Sequence, residues 1–510
     1  VKRFPRTDGE SHDRQLVRVA GIEQTGVFQS TTHSDCPENQ IRAMVSRVAG
    51  VVPLPTGIGL KRLRMTAKLV ANHLPKTEAN DFAEMPARYT GAKQRRYLKA
   101  LDEFLSFGIT SRDAKIKMFV KAERFDGHAK RNPDPRAIQF RDPKYCVALG
   151  AYLHPIEHHI YSFRWASAGV PESRNVAKGL NSVERAELFI HKAAAFVNPR
   201  FVCMDASRFD KHVSEELLRI EHSVYLNSNN SVFFQKLLGW QLKNKCYSNL
   251  GFVYEVRGRR MSGDMNTAAG NCLLMLIMMI CCMRELGITK WDCLDDGDDI
   301  VVIVEKDSLE ALISGAAKEF LHYGMEMKVE LPTQHIHEVV FCQSSIIEFR
   351  PERFKFVRDY RLVMSKALSG VRHWEDDNYR VKVLKAIGTC ELVLNLGVPV
   401  LQAYAVAILR NSGGAARVDL KYAPEYLSLR TNRELKLLGI TASDIRPQPI
   451  TSRARATFAE AFKLGEADQV ILEARLDRWT FPVSGLLRYG HEWEEHDWIA
   501  NQSTYELNRS

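Results

Sequence analysis

Asp295-Asp-Gly-Asp-Asp299, followed at once by Ile300-Val-Val-Ile-Val304, is the stretch on which the fold turns. Two pairs of acids flank a glycine, and a strongly β-branched run leads away from them. Two acids at the tip of a tight glycine turn, with strands on either side, hold carboxylate oxygens with little rotamer freedom. A Mg²⁺ ion needs this of one or two protein ligands. Asp298 and Asp299 are the candidate ligands. A solvated acidic hairpin is the plainer explanation, and an Asp-rich calcium loop is a third, since Asp292, Asp295 and Asp298 are closely spaced. The spacing of an EF-hand and its closing Glu are missing.

Three further stretches carry chemistry. Upstream, the apolar Phe201-Val-Cys-Met204 runs straight into Asp205-Ala-Ser-Arg-Phe-Asp210. A carboxylate leaving a strand beside a second acidic turn can complete a two-metal site, and Asp205 fits that role. Asp210 leads into a helix, where it can face a substrate, cap the helix, or do both. Between the two acidic stretches, Ser262-Gly-Asp-Met-Asn-Thr267 and Ala268-Ala-Gly-Asn271 open a long apolar helix. Small hydroxyls and free N–H groups at a helix start suit a phosphate or ribose, and Asn271 lies one turn past Thr267 on the same face. Taken alone, a capped helix with close packing explains this stretch as well. Further upstream, Arg112 to Lys144 holds ten Lys or Arg against five Asp or Glu, broken by Asn132-Pro-Asp-Pro135. Lys121, Arg136 and Arg141 lie on this strand-turn-strand segment, a clamp for a triphosphate or template backbone or else a solvated charged face.

The elements expected around these motifs are helices at His212–Leu226, Asp264–Leu286 and Ser308–Tyr323, and strands at Gly324–Glu330, Val339–Ser344 and Phe354–Leu362. Short strands alternating with long helices predict an α+β fold, a sheet with helices on one face. After about Ser369 the pattern is helical (Asp376–Leu396, Pro399–Asn411, Asn432–Leu438), ending in a tail with Trp479, Trp493 and Trp498, for which packing is the expectation.

Composition bounds the answer. With 510 residues, 45% hydrophobic and 26% charged, the chain has enough apolar material for a large core, which excludes a small module and wholesale disorder. The net charge of +10 favours polyanionic partners. Ten cysteines without a single C-x-x-C argue against a zinc ribbon and for a reducing compartment. The longest apolar run, Cys272–Met283, has twelve residues, against about 20 for a spanning helix, so it reads as core and no membrane-spanning segment is expected. The start Val1-Lys-Arg3, without Met, suggests a processed product or part of a longer polypeptide.

The order of the motifs is informative: basic clamp, strand-Asp-x4-Asp, Ser-Gly loop into helix, Gly-Asp-Asp turn. It resembles the F, A, B, C series of viral RNA-dependent RNA polymerases. The strings MDASRFDKHVS, SGDMNTAAGN and GDD are most similar to replicases of positive-strand RNA plant viruses, the tombusvirus family and relatives such as umbraviruses. KMFVKAERF and PRAIQFRDPKY extend the resemblance upstream; GMEMKVE and VVFCQSS extend it downstream as motifs D and E.

The resemblance implies a right-handed fold: an N-terminal extension and part of the fingers (1–110), fingers with the basic clamp (111–200), a palm with a finger insertion (201–365), and a helical thumb and tail (366–510). It implies Asp205 and Asp298 as ligands of two Mg²⁺ ions, for which Mn²⁺ can substitute, with Asp299 near the metal or the primer end. Asp210 and Asn271 would recognise the ribose 2′-hydroxyl, assisted by Thr267 and Ser262. Lys121, Arg136 and, more weakly, Arg141 would grip the incoming triphosphate. Lys328 stands where motif D has a basic residue that protonates the leaving pyrophosphate, though a charge on an edge strand is an equal explanation. Cys342-Gln-Ser344 would lie on the hairpin supporting the nascent 3′ end. The implied partners are template and nascent RNA, NTPs, a viral auxiliary replication protein and host factors. The implied place is the host cytoplasm, in a membrane-associated complex held by partners or upstream residues. Initiation without a primer is usual in the family. A reverse transcriptase shares the acidic turn but generally has a bulky side chain where Asp210 stands; a catalytically silent RNA-binding subunit would not need Asp205, Asp298 and Asp299.

Overall fold

Side chains on a strand alternate between its two faces, so an unbroken apolar strand must be covered on both. Ile300–Val304 meets that condition, every one of its side chains being fully buried. In the computed structural model, which describes residues 12–489 apart from 15, 128, 130–132, 372–373, 414–417, 482 and 484–486, this run is central to an antiparallel sheet. The strand order is Trp291–Asp295, Asp299–Glu305, Pro199–Ala206, Met327–Val329. Val202, Met204, Ile300, Val302 and Val304 face a core that includes helices Thr267–Glu285 and Leu309–His322. Phe201, Leu294, Val301 and Ile303 face a second core with Phe189, Phe341, Ile346 and Phe356. The expectation of helices on one face is therefore corrected: helix Ser182–Ala193 and a β-hairpin cover the other. Each such side chain contributes roughly 1.5–3 kcal/mol on burial, which pins the register of the sheet and so of its acidic ends.

The helix Thr267–Glu285 is buried all round from Ala269 to Met283. By length and composition it could cross a membrane, yet 78% of its most apolar 18-residue window is buried inside the protein, where it is the core helix of the main cluster. It starts three residues later than its periodicity predicts, because Asp264 is tied to Arg141 in the preceding turn. The hairpin is also displaced from expectation. Its strands are Ser344–Arg350 and Arg353–Arg358, not Val339–Ser344 and Phe354–Leu362. Pro351 lacks the N–H to extend the first strand, and Asp359 caps a helix, Tyr360–Ala367, by accepting the Arg361 N–H at 2.9 Å.

The basic segment does turn and return. Ile116–Val120 pairs antiparallel with Ala137–Phe140 and parallel with Lys243–Ser248, whose other neighbour is Val253–Arg257. Ile116, Met118 and Val120 point inward and Lys117 and Phe119 outward, so the strand shows its one cation, Lys117, on the outer side. Ile41, Met44 and Val48 close the inner face.

Beyond Ser369 the chain is mainly helical, with Asp377–Leu394, Leu401–Asn411, Glu425–Leu438, Ser452–Phe462 and Glu466–Arg478 around a core that includes Trp479. Trp493 and Trp498 lie outside the described residues. The start of the chain joins this unit: Leu16–Arg18 is sandwiched between Ser369–Gly370 and Leu487–Tyr489, and Val17, Val19, Ala20 and Ile22 enter the helical core.

Candidate active site

The pinned sheet register carries the acids to one end. Asp205 is directly opposite Asp299 on one neighbouring strand and Lys328 on the other. The Ala206 N–H donates to the Asp298 carbonyl at 3.0 Å, locking the turn against the Asp205 strand. Gly297 has φ +106°, a conformation that side chains rarely adopt, and an added Cβ would lie 3.3 Å from the Asn271 Cβ. The glycine thus both makes the turn and lets it approach the core helix.

The four acids of the turn take different roles. Asp295 is buried, and its Oδ1 accepts the Gly297 N–H at 2.8 Å. Asp296 is held by Lys178 at 3.1 Å and Arg185 at 3.4 Å, and accepts from the Cys342 thiol at 3.0 Å. Asp299 turns toward Cys342, accepting its N–H at 2.7 Å. Asp298 and Asp205 line an open cleft of about 650 Å³. Burial, then the charge of Asp298, raises the Asp205 pKa against the pull of Lys328. Burial pushes Asp299 up to about 6; the Cys342 N–H opposes this, and Asp298 and Asp205 add to it. Converging carboxylates that resist ionisation are relieved by a bound cation, and an all-oxygen donor set suits a hard divalent ion. The three acids do not bring their oxygens within 4.8 Å of one another as a group; among the described residues His12, Cys36 and Glu38 do.

Beside the acids lies a polar corner. Arg208, at φ 48°, turns the chain into the short helix Phe209–His212 and brings Asp210 to the cleft. Asn271 Nδ2 donates to Asp210 Oδ1 at 2.9 Å. Burial raises the Asp210 pKa, while Asn271 and Arg260 pull it back. Thr267 Oγ1 donates to the Met261 carbonyl at 2.8 Å, and Ser262 Oγ donates to the Ala137 carbonyl at 2.9 Å, which ties the helix start to the basic strand. Asp210, Asn271, Thr267 and Ser262 all line the cleft with Asp205 and Asp298.

Lys121 and Arg136 also line the cleft, sharing Glu123, with Arg136 Nη1 at 3.2 Å from its Oε1. Arg141 is not brought to the cleft. It is buried, donating to Asp264 Oδ1 at 2.5 Å, to the Ala114 carbonyl at 2.6 Å and to Asn244 Oδ1 at 2.7 Å. Arg136 and Arg141 flank the strand Ala137–Phe140 at its two ends, and only Arg136 lines the cleft. Lys328 is next to Asp205 in the sheet but outside the cleft lining, exposed and paired with Glu330.

A sequence model for the family described as "Viral RNA dependent RNA polymerase" matches residues 4–484. The chain belongs to that family. The chain is similar to the RNA-directed RNA polymerase of cucumber necrosis virus, 34% identical over 490 residues, covering 93% of this chain and 57% of that protein. It is similar also to those of turnip crinkle virus, 33% over 456 residues (89% and 56%), and oat chlorotic stunt virus, 34% over 527 residues (97% and 67%). The chain thus spans little more than half the length of the first two relatives.

The cleft of this polymerase-family chain also includes residues that the sequence analysis did not single out. Arg47 and Val48 arrive from the N-terminal region, Lys178 from a loop, and Arg208 and Lys211 from beside Asp210. Arg208 and Lys211 could have been found, since they flank an acid already singled out. Arg47 and Lys178 reach the cleft only through long-range packing.

Proposed function

We propose that this chain is the RNA-dependent RNA polymerase of a positive-strand RNA virus, extending an RNA 3′-hydroxyl with templated NTPs and releasing pyrophosphate. The register that sets Asp205 opposite Asp299, with Asp298 and Asp210 in one cleft, carries this reading. In it the central sheet is the palm, the basic sheet belongs to the fingers, and the C-terminal helices are the thumb. Asp205 and Asp298, with Asp299 beside them, would hold two Mg²⁺ ions, which supply activation of the attacking oxygen and neutralisation of the leaving phosphates. Lys121 and Arg136 draw in the triphosphate, which takes over from Glu123 as their counter-charge. Asp210 accepts the ribose 2′-hydroxyl while Asn271 holds its second oxygen. Lys328, released from Glu330, donates a proton to the departing pyrophosphate. No covalent nucleophile is needed, because phosphoryl transfer depends on position and charge.

Initiation is proposed to need no primer, and the setting is proposed to be a membrane-associated complex in the host cytoplasm. The test is synthesis by the purified chain on a short RNA template without primer, with and without Mg²⁺. Product that depends on both Mg²⁺ and NTPs supports the reading; preference for dNTPs, or no product even from a primed template, rejects it.

A further inference from the structure

Behind Asp210 and Asn271 lies a buried ion pair for which the reaction itself has no use. Arg260 and Glu221 have side chains 1% and 0% exposed. They meet as a two-pronged pair, Nη1 to Oε1 at 3.1 Å and Nη2 to Oε2 at shorter range. Burial, the largest influence, pulls the Arg260 pKa down, but Glu221 more than offsets it and the guanidinium stays charged. Glu221 is fixed in turn: Tyr225 OH and Asn266 Nδ2 each donate to its Oε1 at 2.8 Å, and Gln241 Nε2 donates to Asn266 Oδ1 at 2.8 Å. A buried pair of this kind is a poor source of stability compared with apolar packing, so its contribution is sought in what it orients.

Arg260 touches both members of the polar corner. Its N–H donates to the Asp210 carbonyl at 2.9 Å, and its Nε donates to Asn271 Oδ1 at 2.9 Å. A side-chain amide has one end that accepts and one that donates, and a guanidinium can bond only the accepting end. With Oδ1 taken, Nδ2 is left for Asp210 Oδ1. Gly270, adjacent to Asn271, leaves room for the pair: a Cβ there would lie 2.4 Å from Glu221 Oε1 and 2.6 Å from Arg260 Nη2.

We propose that Arg260, anchored by Glu221, is the positioning residue for sugar selection: it fixes the Asn271 amide so that one Asp210 oxygen is held and the other stays free for a ribose 2′-hydroxyl. This rests on the polymerase reading above. Arg260 does not touch the nucleotide and acts through Asn271.

The test is single-nucleotide addition to a primed RNA template by the full chain, comparing kcat/KM for an NTP with that for its 2′-deoxy form. Arg260→Met is expected to lower the NTP preference about tenfold, the size typical of a lost coupling between contacting groups. Arg260→Lys keeps the charge opposite Glu221 but cannot bridge it and Asn271 together, so it is expected to hold the fold and lose a similar factor. Its result decides the matter if the Met variant is insoluble. In an Asn271→Ala background, the Arg260 substitution should cause no further loss. An unchanged preference in folded Arg260→Lys, or losses that multiply in the double variant, would overturn the inference while leaving the polymerase reading intact. A wild-type chain that adds no ribonucleotide would remove both.

Discussion

Arg136 and Arg141 carry the same charge on one short segment, yet one faces the cleft and the other is interred against Asp264. The two flank the strand Ala137–Phe140 at opposite ends, and their different surroundings separate two kinds of phenotype. Arg141→Met leaves Asp264 without its counter-ion in the interior, a change that costs about 3–5 kcal/mol. Thermal unfolding should show a large loss, with little change in the KM for NTP of the protein that remains folded; a raised KM at unaltered stability would restore Arg141 to the triphosphate clamp. His222 gives a pH signature. Burial lowers its pKa to about 4 from an ordinary 6.5, where it bonds Gln241 at 3.1 Å. The unfolded chain therefore takes up a proton below 6.5 that the folded chain refuses. The stability this group contributes is fully present above pH 6.5 and falls by up to about 1.4 kcal/mol per unit as pH drops from 6.5 to 4. In melts at pH 7 and pH 5, His222→Gln should lose less on acidification than wild type; equal losses would show that His222 is not the group concerned.

At the scale of elements, the acidic turn works because Gly297 takes a conformation closed to other residues. Gly297→Ala is expected to cost about 1–3 kcal/mol in strain and to push the turn off Asn271. RNA synthesis should fall far more than the melting temperature, and a variant with normal synthesis would mean that the turn's approach to the helix is dispensable. The strands and turn that carry the acids were legible because β-branched runs and glycine act locally. The two-sided covering of the sheet was also written in Ile300–Val304, whose unbroken apolarity demands it, although the alternation of short strands and helices suggested one covered face. The hairpin was misplaced because Val339–Phe341 is as apolar as a strand, while the deciding signals are Pro351 and the Asp359 cap. Arg260 stood in plain view beside Ser262, but its meaning depends on Glu221, 39 residues away, and no local pattern couples them.

At the scale of the whole molecule, the first described residues bind the last ones. Val17, Val19 and Ile22 are buried in the C-terminal core, and Leu16–Arg18 pairs with strands on both sides. Turn signals and basic residues nearby concealed this, since a three-residue strand has no periodicity to read. Ile22→Ala should cost about 2–5 kcal/mol and speed proteolysis within the C-terminal helices; cleavage at the wild-type rate would show that the contact is not stabilising. The whole fold serves to bring Asp205 to Asp298 and Asp299 across about ninety residues of chain, a separation that follows from their numbering. The most direct measurement of that claim is ribonucleotide incorporation by Asp205→Ala and Asp298→Ala, alongside RNA affinity. Each variant should lose incorporation by about a thousandfold or more while binding RNA within about threefold of wild type. Wild-type incorporation by either one would contradict the account.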